Sequence, residues 1–134
     1  MTIFVHDDLK DAALDYLKQN CDLMIACAGA PASYAEATTA PAGGKALADT
    51  AMAAGDFTIA DAAGGGRQVS WPSKTAVPID DAGDCDHIAF VDTGTTKLLL
   101  VAPGTATVEL TSGGGETVTI NGGVVKLGDG ALLA

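Results

Sequence analysis

The first strong pattern of hydrophobic and polar positions is helical and covers residues 7–19. Apolar side chains recur there at steps of three and four residues, which places them along one face of a helix. These residues are Leu9, Ala12, Ala13, Tyr16 and Leu17. Aspartates at the start suit the N-terminal cap and the helix dipole. The pattern therefore predicts a helix over residues 7–19 that lies with this face on the rest of the domain.

The pattern changes after this helix. Residues 22–27 form a short apolar run whose length and isoleucine content favour a buried strand. Residues 28–44 are rich in Ala, Pro, Gly, Ser and Thr, which predicts a long loop with one helical turn around residues 33–37. A loop of this length is uncommon inside a compact domain and often contacts another molecule. We therefore treat residues 28–44 as a candidate arm.

From Lys45 onward, short runs of alternating or apolar residues are separated by Gly, Pro, Asn and Asp. Such runs predict strands. The predicted strands are residues 57–59, 67–71, 75–79, 87–91, 97–101, 107–110, 117–120 and 124–127. The runs 87–91 and 97–101 flank a tight turn and predict a hairpin. Asn121-Gly122 predicts a second hairpin, which leads into the last strand.

The number and spacing of these strands indicate the fold class. Short strands with turn residues every eight to twelve positions are typical of a sandwich or barrel. We expect a mainly β protein in which the N-terminal helix packs on an antiparallel β-sandwich or barrel of about eight short strands. The 134 residues fit one domain. Its predicted parts are the helix 7–19, the arm 28–44, the β body 45–127 and a tail 128–134.

Composition narrows the classes of partner. Aromatic residues make up 4% of the chain, so the core should rest on Val, Ile and Leu and be thin enough to gain from burial against neighbours. The net charge of −10 disfavours binding to nucleic acid and to anionic membranes. No run is long and apolar enough to span a bilayer, and the first residues do not resemble a signal peptide. We expect synthesis and folding in the cytoplasm.

Side chains that could carry chemistry are few and scattered. The two histidines, His6 and His87, flank a helix start and open a strand, and neither is paired in sequence with a nucleophile. Residues 80–87 hold four carboxylates, a thiol and an imidazole, but their spacing fits neither a calcium loop nor a zinc site. The cysteines Cys21, Cys27 and Cys85 are expected to be reduced, buried thiols. We expect no catalysis, no metal and no cofactor.

Assembly with other proteins is the function that remains. Trp71 could be either a core anchor or an interface residue, because Pro72 places it near a sheet edge. The candidate protein interface consists of Tyr34, Glu36, Lys45 and Trp71.

The order of segments resembles a family of small tailed-bacteriophage proteins found among virion structural genes. The match includes Ala12-Ala13-Leu14-Asp15-Tyr16 in the helix and Gly66-Arg67 in the β body. The matching segments are residues 9–17, 23–27, 34–38, 45–48, 55–60, 66–67, 87–92, 98–100 and 117–120. The chain departs from the family after Ile120, where Asn121-Gly122-Gly123 stands in place of a Pro-Ala-Trp segment.

The resemblance implies a virion component and leaves its location open. The first hypothesis is a capsid decoration, or cement, protein that binds the outer surface of the major capsid lattice through the helix or the arm. A trimer would suit threefold positions of that lattice. The second hypothesis is a tail or baseplate component, and the third is a host-glycan-binding module that stacks Trp71 or Tyr34 on sugars. We expect the major capsid protein or other virion proteins as partners, and we expect the domain to fold without residues 28–44.

Overall fold

The computed structural model describes residues 5–112 and 114–128. Two helices and nine strands occur in this part of the chain. They are α1 (Asp7–Asn20), β1 (Leu23–Cys27), α2 (Tyr34–Thr38), β2 (Ala46–Ala51), β3 (Thr58–Asp61), β4 (Arg67–Trp71), β5 (Lys74–Pro78), β6 (Gly83–Asp92), β7 (Lys97–Leu110), β8 (Thr117–Ile120) and β9 (Gly123–Leu127). A short 3₁₀ turn covers Ala54–Asp56. Most of the predicted tail 128–134 lies outside the described residues.

The strands form three antiparallel sheets. Their orders are β2-β1-β6-β7, β3-β4-β9 and β5-β8. Helix α1 lies against β3 and β4. The predicted fold class is confirmed: the protein is mainly β, with an N-terminal helix packed on antiparallel sheets.

The hairpin of β6 and β7 is confirmed and is longer than predicted. Its turn is held by Asp92, a buried residue whose carboxylate accepts hydrogen bonds from the Thr95 hydroxyl at 2.7 Å and the Gly94 N–H at 2.9 Å. The Thr93 N–H donates to Asp22 at 3.0 Å, which ties the turn to the start of β1. Strand β7 continues through Pro103-Gly104, where the sequence predicted a break. Proline is tolerated there because β7 is an edge strand.

The hairpin predicted at Asn121-Gly122 is wrong. Strand β8 pairs with β5, and β9 pairs with β4, so the two strands belong to different sheets. The Gly122 N–H donates to the Ser73 hydroxyl at 2.9 Å, beside the connection between β4 and β5. The β4–β5 and β8–β9 segments therefore run together as one antiparallel ribbon that bends from one sheet into the other. Asn121-Gly122 makes the bend and not a chain reversal.

Strand β2 was not among the predicted strands. Its sequence is rich in alanine and has no β-branched residue except Thr50, so it carries little strand propensity. Pairing with β1 and the burial of Leu47 and Ala48 place it in the sheet.

The main core is centred on aromatic rings, which the composition did not predict. The Trp71 ring packs edge-to-face on Phe90, with ring centroids 4.8 Å apart. The Phe57 ring also packs edge-to-face on Phe90, with ring centroids 6.0 Å apart. These three residues come from different parts of the chain and join two sheets. A second, smaller core lies on the opposite face of β1 and β6, where Ile25, Cys27, Ala89 and Val91 pack under Ala37 of α2.

The buried face of α1 differs from the predicted one. Leu14 and Leu17 are buried, and so is Lys10, whose ammonium lies 3.4 Å from the Asp7 carboxylate. Leu9 and Tyr16, which were predicted to face the domain, are 65% and 47% exposed. Helical spacing also relates Lys10, Leu14 and Leu17. A lysine can belong to this buried series because its aliphatic stem covers apolar surface.

Ion pairs join α1 and β3 to β4 in this rotation of the helix. The Arg67 guanidinium on β4 contacts Asp11 of α1 and Asp61 of β3, each at 2.6 Å. The hydrogen bonds to these two carboxylates raise the pKa of Arg67.

The predicted arm 28–44 is packed against the domain. The Ala28 N–H donates to the Lys45 carbonyl at 2.9 Å, and the Gly29 N–H donates to the Asp86 carboxylate at 2.7 Å. Ala37 is fully buried on the second core. Deletion of residues 28–44 would remove Ala37 and Tyr34 from that core, and this packing speaks against the prediction that the domain folds without them.

We predict that Gly123→Ala destabilises the fold. A Cβ at this position would lie 2.8 Å from Cζ2 of Trp71, so the indole or β9 would have to shift. The loss should be about 1–3 kcal/mol in the free energy of unfolding, measured with urea. Gly55→Ala is the matched control, because nothing lies within 4 Å of its added Cβ. Equal stability of the two variants would contradict the packing described for Trp71.

We also predict that stability falls as the pH drops below about 4. The hydrogen bond from the Thr95 hydroxyl lowers the pKa of Asp92, and the hydrogen bond from Lys74 lowers the pKa of Asp56. A carboxyl whose folded-state pKa is lowered stabilises the fold above its unfolded-state pKa and loses that contribution as the pH falls through the folded-state value.

The measurement is the urea midpoint of the parent chain and of Asp92→Asn between pH 6 and the acid transition. The parent should be more stable at pH 6, and the difference should shrink as Asp92 becomes protonated. Asp15→Asn, at an exposed position of α1, removes the same charge without changing the hairpin turn. A difference that stays constant down to the acid transition would refute this role of Asp92.

Candidate interaction surfaces

The four predicted interface residues do not form one surface. Tyr34 packs on the second core, and Glu36 and Lys45 form an ion pair at 3.5 Å beside it. Trp71 belongs to the main core, on the opposite face of β1 and β6, and is 6% exposed. The interpretation of Trp71 as a core anchor is therefore the one that the structure supports. It also leaves no free indole face for stacking on a sugar.

Helix α1 presents an exposed apolar stripe to solvent. It consists of Leu9, Ala12, Ala13 and Tyr16, and we call it the helical stripe. The steps of three and four between these residues align them along one side of the helix. Helices that bind in the groove of another protein contact it through apolar residues at this spacing. Four of the five apolar residues that the sequence predicted to face the domain form this stripe, and the fifth, Leu17, is buried as predicted.

Charged groups flank the helical stripe. A shallow groove of about 350 Å³ lies beside Ala12 and is lined by Asp11, Asp15, Ile59 and Arg67. On Tyr16, the Lys97 ammonium lies 5.9 Å from the ring centroid and donates to the hydroxyl at 3.2 Å. The stripe thus has an apolar centre and a polar rim, as protein interfaces have.

A cleft of about 490 Å³ lies where the three sheets meet. One wall is formed by residues 102–106 of β7 together with Val108, and the other by residues 118–124 of β8, β9 and the bend between them. Trp71 and residues 85–88 of β6 also line the cleft. Val108 and Val124 are 50% and 55% exposed, one on each wall. The volume falls within the range of about 300–1,000 Å³ that is usual for ligand sites.

Trp71 leaves a polar group unsatisfied beside this cleft. Its Nε1 atom is buried and has no hydrogen-bond acceptor among the described residues. Buried indole N–H groups usually have a partner, and leaving one unpaired costs about 1–3 kcal/mol. This group is the most unusual polar feature of the core.

One end of the cleft carries Asp86, His87 and Cys85. The Asp86 carboxylate accepts hydrogen bonds from His87 Nδ1 at 2.8 Å and from the Gly29 N–H, and these bonds lower the pKa of Asp86. Burial raises the pKa of the Cys85 thiol, which donates to the His87 carbonyl. A protonated thiol is a poor nucleophile. The hydrogen bond from Gly29 to Asp86 holds residue 29 against β6.

The remaining candidate residues have structural environments. Cys21, Cys27 and Cys85 are free thiols, and burial raises the pKa of Cys21 to about 11 and of Cys27 to about 12. The His6 side chain caps α1 by accepting from the Asp8 N–H. Within residues 5–112 and 114–128, no cluster of three His, Cys, Asp or Glu side chains is placed to hold a metal ion. Nor does this part of the chain contain a helix long and apolar enough to cross a membrane.

The cleft was not predictable from local sequence. Its lining comes from β1, β4, β6, β7, β8 and β9, and it depends on β8 and β9 belonging to different sheets, which the predicted hairpin at Asn121-Gly122 did not allow. The exposed stripe could have been found by comparing two helical faces, since Lys10, Leu14 and Leu17 match the helical period as well.

Comparison with known proteins adds no relative to this picture: no protein-family model matches the chain, and no significant match is found among curated proteins or solved structures.

Proposed function

We propose that this protein is a structural subunit of a tailed-bacteriophage virion, and specifically a capsid decoration protein bound to the outer surface of the major capsid lattice. The observation that carries the proposal is the helical stripe on α1. An amphipathic helix buries its one apolar side, whereas α1 buries Leu14 and Leu17 and still exposes Leu9 and Tyr16. Clustered apolar residues rimmed by charge are typical of an interaction site.

The energetics suit a repetitive lattice. Burying a side chain such as Leu9 contributes about 1.5–3 kcal/mol, which gives one small helix only modest affinity for one partner molecule. Subunits that also contact one another, for example as trimers at threefold positions, would bind a lattice more tightly by multivalency. The ordered resemblance to virion proteins supports the same function.

The surface charge also fits a particle exterior. The net charge of −10 repels nucleic acid and keeps the subunit soluble before assembly. The same charge would suit a tail or baseplate component, which is the alternative location.

We predict that Leu9→Glu weakens binding of the purified protein to particles that lack it. Placing a carboxylate in the centre of an apolar interface should lower the affinity by about 10- to 100-fold, which corresponds to the burial energy of one leucine. Co-sedimentation with particles measures this loss. Thr75→Glu, an exposed change of the same charge on β5, is the control and should bind like the parent. If Leu9→Glu binds as well as the control, the helical stripe is not the contact.

The number of copies in purified virions distinguishes the two locations. A decoration protein should be present in hundreds of copies, in proportion to the major capsid protein, as measured by quantitative mass spectrometry. A handful of copies would place the protein in the tail or baseplate. Its absence from virions would refute a virion function altogether.

A further inference from the structure

We propose that the cleft between β7 and the β8–β9 segment is a strand-acceptor site that binds an extended segment of a partner protein, rich in β-branched residues and carrying a basic residue. This site is separate from the helical stripe. The inference relies on the proposed function only for the idea that neighbouring subunits supply the segment.

Unpaired strand edges form the walls of the cleft. Strand β7 is the edge of its four-stranded sheet, β8 pairs only with β5, and β9 pairs only with β4. Within the described ranges, no sheet pairing joins β7 to β8 or β9. Edge strands present N–H and C=O groups to which another chain can add. An inserted strand would bridge sheets that are otherwise held together by side-chain packing.

A bulge in β7 keeps the cleft between β7 and the β8–β9 segment open. Cys85 pairs with Val108 and His87 pairs with Pro103, so four residues of β7, 104–107, lie opposite the single residue Asp86. A bulge of this size turns the strand away from its partner and changes where its side chains point. Because residues 104–106 line the cleft, the bulged segment forms part of its wall.

The unsatisfied N–H of the Trp71 indole favours an occupant that has carbonyl groups. The tryptophan lines the cleft and its Nε1–H has no acceptor within the described residues. Because the Nε1 atom is buried, a backbone carbonyl of an added strand would provide that acceptor once the edge of the indole shifts to admit it. An apolar small molecule would fill the volume but would leave this N–H unsatisfied.

The lining sets the chemistry of the segment. Val108, Val118 and Val124 line the walls, which favours alternating β-branched side chains on the added strand. Asp86 is the acidic side chain in the lining. Together with the net charge of −10, this carboxylate favours a segment that carries lysine or arginine.

The single tryptophan allows a direct test in the full-length protein. The probe is an acetylated and amidated synthetic heptapeptide of alternating Val and Thr with Lys at both ends. We expect the one indole N–H resonance in the ¹H–¹⁵N spectrum to move downfield in a saturable way, together with amides of residues 104–108 and 118–124. A peptide with proline in place of the central valine lacks one N–H and should bind far more weakly.

Neutral variants test whether the peptide lies in the cleft. Val108→Ser with Val124→Ser removes apolar contacts from both walls without altering the charge, and should weaken binding about tenfold or more. Leu9→Ser, an equivalent change on the helical stripe, should bind the peptide like the parent. The dispersion of the same spectra shows that each variant is folded.

Several outcomes would overturn the proposal: no movement of the indole resonance at millimolar peptide, equal movement with the proline peptide, or unchanged binding by the double serine variant. If the indole resonance moves when only the protein concentration is raised, the cleft binds a second copy of this chain. A peptide with Glu at both ends that binds as tightly would refute the requirement for a basic residue.

The result is distinguishable from the test of the proposed function. If the peptide fails to bind while Leu9→Glu still loses particle binding, the strand-acceptor site is refuted and the virion function stands. If the peptide binds but virions lack the protein, the site stands and the virion function is refuted.

Discussion

The edge-to-face packing of Trp71 on Phe90 is the interaction on which the rest of the structure depends. It joins β4 of one sheet to β6 of another, and Phe57 completes the cluster. The chain has only six aromatic residues, and three of them meet at this point. Large rings bury more area per residue than aliphatic side chains, so a small number of them can hold separate sheets together. Gly123 is needed because β9 passes directly over the indole.

This packing explains why the sheets do not close into a continuous barrel. Side chains at the centre hold the three sheets, and the paired β4–β5 and β8–β9 segments bend together from one sheet to another. Strand β7 lies at the edge of its sheet, and no strand in the described part of the chain pairs with its outer side. The cleft beside it is lined by the same tryptophan that organises the core, and the Nε1–H of this residue has no acceptor among the described residues.

Charged side chains decide which apolar surfaces stay exposed. The contacts from Arg67 to Asp11 and Asp61 hold α1 in one rotation, and the stem of Lys10 takes a place in the buried face. The second series of apolar residues on α1 is then turned to solvent. The 28–44 segment behaves in the opposite way, because Ala37 and the bonds made by residues 28 and 29 fold it onto the sheet. Apolar side chains are therefore exposed along α1, whereas the 28–44 segment buries Ala37 against the sheet.

The amino-acid sequence by itself determined the local elements: the helix, most of the strands and the β6–β7 hairpin follow from periodicity and turn chemistry. The tertiary structure alone decided which strands pair, because Asn121-Gly122 can reverse a chain or bend it, and the ribbon partner at residues 72–73 selects the bend. It also decided which face of α1 is buried, since two faces satisfy the helical period and the burial of Leu14 and Leu17 against the sheets selects one of them. The cleft likewise depends on pairing, because its walls, residues 102–108 and 118–124, belong to strands that pair with different partners and meet beside Trp71 and residues 85–88.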